Sequence, residues 1–377
     1  MRRVKVLFFD PSGSVGPYLR SLTNELDKVS EGVTITSLSE MPQSRWKHRN
    51  FYPKCLEDRK GIVVKFIKVM LYPCCLLTMH RFLVKQNINV VHLQWIDLPI
   101  AWWVYFFFLR SGIKRVITVH NSDFGHGIKT WKLRLQSFGY VRLLSKADTI
   151  ICHTENAKSR LVLLGCDKSK IKVIPHAPLS LGDDGDVIKN IADKHYHFSH
   201  LGILTRYKGT EVFLDSLKYL DDYLSDDGNI GGVNILIAGR PDLAILGAVN
   251  RVSQQTFKKI NVAIKPYYLD DDEFFNALSS TQRLVLPYKN IDASGILNAA
   301  LQHGVSCVVA DLSEFRVVLG SAAAAYVDQE NPISIAQAMF NLVKSGNLEE
   351  ESNRVSLVLT QSFTWKEAAK ATFLEYQ

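Results

Sequence analysis

The sequence predicts an α/β protein built from two consecutive Rossmann-like units with parallel sheets. Three observations predict it. Short apolar, β-branched runs alternate with longer amphipathic stretches along the whole chain, the pattern of strand–helix units. Two complete series of such runs flank a single polar, Gly- and Asp-rich stretch, LSLGDDGD, inside residues 177–196. The halves on either side of it differ in charge. Residues 1–180 carry 28 Lys and Arg against 12 Asp and Glu, a net +16, and the remainder carries 17 against 25, a net −8. A chain of 377 residues gives each half enough length for a core, and 47% hydrophobic with 22% charged residues fits a soluble globular protein.

In the first half (residues 1–176), strands are expected at Val4–Asp10, Val33–Leu38, Val90–Trp95, Val116–His120, Thr149–His153 and Lys172–Pro175. The opening MRRVKVLFFD has an apolar run too short for a signal peptide and enters the first strand directly. The loop after it holds Gly13 and Gly16, spaced G-x-x-G rather than as a dinucleotide fingerprint. It reads either as a tight turn or as a place where backbone amides approach a substrate. Lys60–Lys85 mixes cations with large apolar residues and suits an interfacial helix on an anionic membrane or a core helix against the sheet, with Pro73 expected to interrupt it. Leu98–Leu109 is uncharged and rich in Trp and Phe, but far short of the ~20 residues that span a bilayer. It reads as a core helix or an interfacial one. His120 ends an apolar strand and projects from its carboxyl end, where a catalytic and a structural role are both open. His92 reads as structural or as lining the cleft, and His176, at the hinge, is assigned no chemistry. The six Cys show no zinc spacing, and Cys152 and Cys307 sit in buried-strand patterns. That composition implies a reduced, cytoplasmic protein without a structural metal.

In the second half (residues 197–360), strands are expected at Phe198–Leu204, Asn234–Ala238, Val262–Lys265, Leu284–Leu286, Cys307–Ala310 and Ala325–Val327. Two strand-to-helix loops carry the chemistry. After Leu286 comes Pro287-Tyr288 and a polar loop with Asp292, and Ser294-Gly295 then opens an apolar helix. Ser is a good N-cap, Gly admits a ligand close to the backbone, and the free amides of a helix start attract phosphate. After Gly202 comes the basic loop Thr205-Arg206-Tyr207-Lys208-Gly209, whose two cations suit a diphosphate. Taken singly, the first loop is also an ordinary capped βαβ unit and the second a pair of solvated cations. Asp270-Asp271-Asp272 reads as the acidic first turn of a helix rather than a metal site.

In order and spacing, ADTIICHTENAKSRLVLLGCDKSKIKVIPHAP (Ala147–Pro178), the RYKG loop, ILIAGRP (Ile235–Pro241), the PY…SG…G…VV segment and FTWKEAAKAT (Phe363–Thr372) resemble the group 1 retaining glycosyltransferases of family 4. The resemblance implies a GT-B fold, with two Rossmann-like domains facing a cleft and the C-terminal helix 361–377 crossing back to the first. It also implies a nucleotide-sugar donor bound by the second domain, a sugar or lipid-linked acceptor approaching the first, and retention of anomeric configuration. It gives His120, Arg206 and Lys208 catalytic parts, and puts Gly13, Gly16, Tyr288, Asp292, Ser294 and Gly295 near the donor. No cofactor or metal is expected beyond the donor itself. The chain departs from the common pattern where many members carry two Glu eight residues apart. Ile291 and Ala299 stand there, in a Ser-Gly variant of the motif.

Together these readings give a metal-independent enzyme of polysaccharide or glycolipid assembly, peripheral on the cytoplasmic membrane face. A catalytically degenerate GT-B scaffold is the alternative. An NAD-dependent oxidoreductase lacks its fingerprint, and no nucleic-acid-binding motif accompanies the basic half.

Overall fold

A computed structural model describes residues 4–10, 16–30, 32–36, 47–49, 51, 62–96, 99–109, 112–122, 131–178, 194–292 and 294–377. Gly13 and most of the expected linker lie outside the described residues. The chain forms two compact units, Met1–Ala177 with Phe363–Gln377, and Pro178–Ser362.

The first unit runs β1 (Lys5–Phe9), α1 (Gly16–Leu26), β2 (Gly32–Thr36), β3 (Lys47–His48), α2 (Ile62–Gln86), β4 (Val90–Leu93), α3 (Pro99–Phe108), β5 (Lys114–Val119), α4 (Trp131–Lys146), β6 (Thr149–Cys152), α5 (Glu155–Leu163) and β7 (Ile171–Val173). Its strands form one parallel sheet in the order β3-β2-β1-β4-β5-β6-β7. Strand order reverses between β1 and β4, the switch point at which parallel sheets bind ligands. Leu7, Val91, Ile117 and Ile150 lie in the buried layer under the helices.

The second unit runs β8 (Tyr196–Leu201), α6 (Thr210–Asp227), β9 (Val233–Ala238), α7 (Leu246–Ser253), β10 (Ile260–Lys265), α8 (Asp271–Ser279), β11 (Thr281–Leu286), α9 (Gly295–Gln302), β12 (Ser306–Ala310), α10 (Ser313–Leu319), β13 (Ala325–Val327), α11 (Pro332–Ser345) and α12 (Leu348–Gln361). Its parallel sheet has the order β10-β9-β8-β11-β12-β13, so its switch point lies between β8 and β11. The sheet's far side is pinned by a buried pair, Arg283 with Glu351 at 2.8 Å, and Ser306 donates to the same carboxylate. The last helix, α13 (Trp365–Leu374), belongs to the first unit, where it packs on α1. A capping box between Thr364 and Glu367 starts it.

Some expectations are corrected. Pro73 does not interrupt the basic stretch, because α2 runs unbroken from Ile62 to Gln86. Pro73 faces solvent, where water can satisfy the carbonyl it leaves without a partner. β4 stops at Leu93 and β8 at Leu201, short of Trp95 and Leu204. At Gly202 the backbone turns to φ +96°, a conformation that ends the strand and suits glycine. Leu98–Leu109 is neither wholly core nor wholly surface: in α3, Trp102 and Phe106 are buried while Phe107 and Phe108 are exposed.

Candidate active site

In the second unit, the loops after β8 and β11 meet at the switch point. A Cβ on Gly209, whose φ is +70°, would overlap the Pro287 carbonyl, so only glycine lets the basic loop lie this close. The Lys289 amide donates to the Tyr207 carbonyl at 2.8 Å, which locks the loops together. The basic loop is fixed from beneath by His200 of β8. Its Nδ1 faces the Val285 carbonyl at 2.9 Å and must carry the proton there, so Nε2 accepts from the Thr210 hydroxyl at 2.9 Å. Thr210 Oγ1 in turn accepts the Thr205 amide. Burial pushes the His200 imidazole down to about 4, which keeps it neutral in this role.

Lys208 is the residue this scaffold presents. It is only 9% exposed, and its ammonium lies 5.7 Å from the Tyr288 ring centroid. No Asp or Glu pairs with it among the described residues, and burial alone pulls it from 10.5 to about 8. A Cβ on Gly202 would come within 3.1 Å of Lys208 Nζ and would also strike Ile296 in the first turn of α9. The cation therefore sits beside the start of α9. There Ser294 caps the helix, its side chain accepting the Leu297 amide at 3.0 Å. Ser294 is also next to the Tyr288 hydroxyl, which burial shifts upward. Lys208, Tyr288, Ser294 and Gly295 thus come together around one small space. An uncompensated ammonium and the free amides of a helix start can receive a phosphate there.

Arg206 does not join them. Its side chain is 65% exposed and pairs with Glu211 in the first turn of α6 at 3.3 Å. Asp292 and Ile291 are buried, and Ala299 is buried in α9, so apolar carbon occupies the places where many relatives carry Glu. Asp270 is spent on a capping box with Glu273 at the start of α8.

In the first unit, His120 lies just past β5 and touches two groups: His153 Nε2 at 3.0 Å from its Nδ1, and Gln94 Oε1 at 3.0 Å from its Nε2. His153 Nδ1 faces the Ile174 carbonyl at 2.9 Å and must donate to it. A neutral His153 then offers a lone pair at Nε2, so His120 Nδ1 donates. Burial and the neighbouring His153, His176 and His92 hold His120 well below its usual value, hence neutral. A neutral His120 has a lone pair at Nε2, which matches Gln94 when the amide NH2 is turned toward it. The opposite orientation matches only the imidazolium. His92 and Tyr376 extend the network, at 2.7 Å, and Thr118 meets the other His92 nitrogen at 2.7 Å. Tyr18 of α1 packs against His120, His153, His176 and Trp365, with centroids 4.8–5.4 Å apart. Sequence reasoning missed His153; its place at the end of β6, beside the strand that ends at His120, was the available signal. His92 is fully buried between Tyr376 and Thr118. A Cβ on Gly16 would meet nothing, so packing does not require glycine there.

Residues 15–177 match the model of Glycosyltransferase Family 4. The fold is similar to solved structures over the full chain. HepE of Anabaena, solved with UDP and glucose, is 13% identical, with 100% of each chain covered and a TM-score of 0.70. The chain is thus similar to Glycosyltransferase Family 4 across most of its first unit and shares its fold with solved glycosyltransferases. Sucrose-phosphate synthase of Thermosynechococcus elongatus is 12% identical over 99% of this chain and 98% of that one, with a TM-score of 0.73. TarM is 9% identical over 100% and 99%, at 0.71. No curated protein matches the sequence. At such identities the likeness extends to the fold, and the residues of the candidate site rest on this chain's own geometry. Among the described residues no group of three His, Cys, Asp or Glu is placed to hold a metal ion, and no helix is long and apolar enough to cross a membrane.

Proposed function

We propose that the chain transfers a sugar from a nucleotide-sugar donor to an acceptor hydroxyl, with the donor's phosphates at Lys208 and the start of α9. The observation that carries this reading is the buried Lys208 ammonium, without a carboxylate partner among the described residues, at the switch point of a parallel sheet. A desolvated, unpaired cation is costly, and an arriving dianion offsets that cost. HepE, which shares the fold, was solved with UDP-glucose. As the sugar–phosphate bond breaks, negative charge grows on the leaving diphosphate. Lys208 and the Gly295 and Ile296 amides stabilise it where it develops. His120, neutral and with Nδ1 held by His153, accepts a sugar hydroxyl at Nε2 when that hydroxyl displaces the Gln94 amide. Arg206 contributes by swinging from Glu211 once a polyanion competes for it.

The finer reading is a retaining transfer, in which a phosphate oxygen takes the acceptor proton on the leaving face. It proceeds without a divalent metal, because Lys208 and the helix amides supply positive charge to the phosphates. The acceptor is sugar or lipid-linked, in polysaccharide or glycolipid assembly at the cytoplasmic face of a membrane. Titration with UDP, GDP and NAD tests the donor reading. Saturable binding of one nucleoside diphosphate, lost in Lys208→Met, supports it; binding of NAD alone, or unaltered binding by the variant, refutes it. The buried Ile291 and Ala299 favour a second reading, a scaffold that no longer turns over. Nucleotide binding without transfer to any acceptor, and without slow donor hydrolysis, identifies that case.

A further inference from the structure

α2 and α3 leave an apolar groove on the outside of the first unit. On their inner side they are joined by the Trp102 indole N–H, which donates to the Tyr72 hydroxyl at 2.7 Å. On their outer side a cavity of about 540 Å3 opens, lined by Pro73, Leu76, Leu77, Ile100, Val104 and Phe108. The polar contact in its lining is between His80 and Tyr105, at 3.4 Å. Large side chains flank it in the open: Met70 is 64% exposed, Leu77 62%, Phe107 66% and Phe108 74%. Met70, Leu77, Arg81 and Lys85 follow one another at helical spacing, so the apolar ridge of α2 ends in two exposed cations. Lys146 of α4 lies 5.5 Å from the Phe107 ring centroid.

We propose that this groove holds one hydrocarbon chain of an anionic membrane lipid, with Arg81 and Lys85 beside its headgroup. The volume falls in the range that encloses a single small ligand, and a nearly all-carbon lining recognises a chain rather than a sugar or a peptide backbone. Exposed aromatic residues beside Lys and Arg fit the boundary of a bilayer, where each cation gains from anionic lipid. A protein partner fits less well, since lysine is depleted at such interfaces. The net +16 of residues 1–180 has the matching sign. The inference does not depend on the donor site, because binding is read without turnover.

The test uses the full chain and lysophosphatidylglycerols of increasing chain length below their micelle concentration, followed by calorimetry. One molecule should bind per chain. Affinity should rise about fourfold per added methylene, equivalent to ~0.8 kcal/mol each, and level off once the groove is full. Ala101→Phe, which fills the groove floor, should lower affinity tenfold or more at unchanged far-UV circular dichroism. Should that variant misfold, Val104→Gln at an exposed wall position reads the same loss. Arg81→Gln with Lys85→Gln should weaken co-sedimentation with vesicles one-third phosphatidylglycerol, and leave the weak binding to pure phosphatidylcholine as it was. Affinity independent of chain length, absence of saturation, or no effect of either groove variant overturns the proposal. So does a dimer in light scattering that Val104→Gln dissolves, which would assign the groove to a second copy of the chain.

Discussion

Lys208→Met should make the free protein more stable and the enzyme nearly inactive. Methionine keeps the length and volume of lysine and removes the charge. Burial holds the ammonium at about 8 instead of 10.5. At 1.36 kcal/mol per pH unit, that is about 3 kcal/mol by which the charged form is disfavoured in the fold. Loss of the attraction to the Tyr288 ring, about 0.5–2 kcal/mol, works the other way. The net gain at pH 7 is about 1–3 kcal/mol, or roughly 2–10 °C in the melting temperature of a unit of this size. The sign of the pH dependence follows. Between about 8 and 10.5 the unfolded chain holds the lysine proton that the folded chain has lost, so wild-type stability rises with pH across that window. The variant lacks this rise. Lys194, also lowered to about 8 by burial, contributes equally to both and cancels in the difference.

The assay is thermal and urea unfolding of both proteins at pH 7 and pH 10, with and without UDP or GDP, beside turnover at saturating donor. Nucleotide at a hundred times its dissociation constant should stabilise the wild type by about 2.7 kcal/mol and the variant by far less. The order of stability then inverts on adding ligand. Turnover should fall by about 10²-fold or more, the scale of losing one group that stabilises transition-state charge. A variant that is less stable than wild type at pH 7, or one that keeps the ligand shift, refutes the reasoning.

Arg206→Ala should leave stability within about 1 kcal/mol of wild type, because its pair with Glu211 is exposed. Its turnover should fall by less than that of Lys208→Met; steady-state kinetics ranks the two, and the reverse order would move the phosphates toward Arg206. Activity should persist in excess EDTA, and complete loss restored by Mg2+ or Mn2+ would contradict the metal-independent reading. His92 and His176 are held near 3 by burial, so the unfolded chain gains protons first as pH falls below 6.5. The first unit should therefore lose up to about 1.4 kcal/mol per pH unit for each of them under acid, and His176→Phe should flatten that slope in urea titrations. His153→Phe removes the acceptor for His120 Nδ1. It should lower kcat about tenfold with little change in donor affinity, and His153→Asn should restore part of it; equal loss in both variants would mark His153 as packing alone.

Much of the fold was legible because parallel strands buried on both faces write themselves as apolar runs. Val116–Val119 and Cys307–Ala310 are examples, as is the capped start of α9 at Ser294. Strand ends were less legible, since Gly202 stops β8 through a backbone angle that no pattern of apolar residues encodes. The site was legible by composition but not by orientation. RYKG offered two cations of equal standing. Gly209 packs close on Pro287 beside the buried Lys208, and Glu211, in the first turn of α6, pairs with the exposed Arg206. His153 escaped notice because its partner, His120, is 33 residues away and joins it through the β5–β6 pairing.

Net charge is a poor guide to where an anion binds in this chain, and burial explains why. The half that carries the candidate phosphate site is acidic overall, at −8, while the half at +16 holds His92, His120 and His176, which burial keeps neutral. Exposed charges are screened within about 10 Å at ordinary ionic strength, so a surface excess of carboxylates scarcely reaches a desolvated site. Lys208 is 9% exposed and has no carboxylate partner among the described residues, so a ligand phosphate meets its charge at low dielectric. The surplus cations of the first half are of the other kind, exposed along helices such as α2, where they act on large anionic surfaces and fade with salt. Raising ionic strength should accordingly weaken vesicle binding strongly and nucleotide binding only mildly, and a parallel loss of both would place the phosphates on an exposed surface instead of at Lys208.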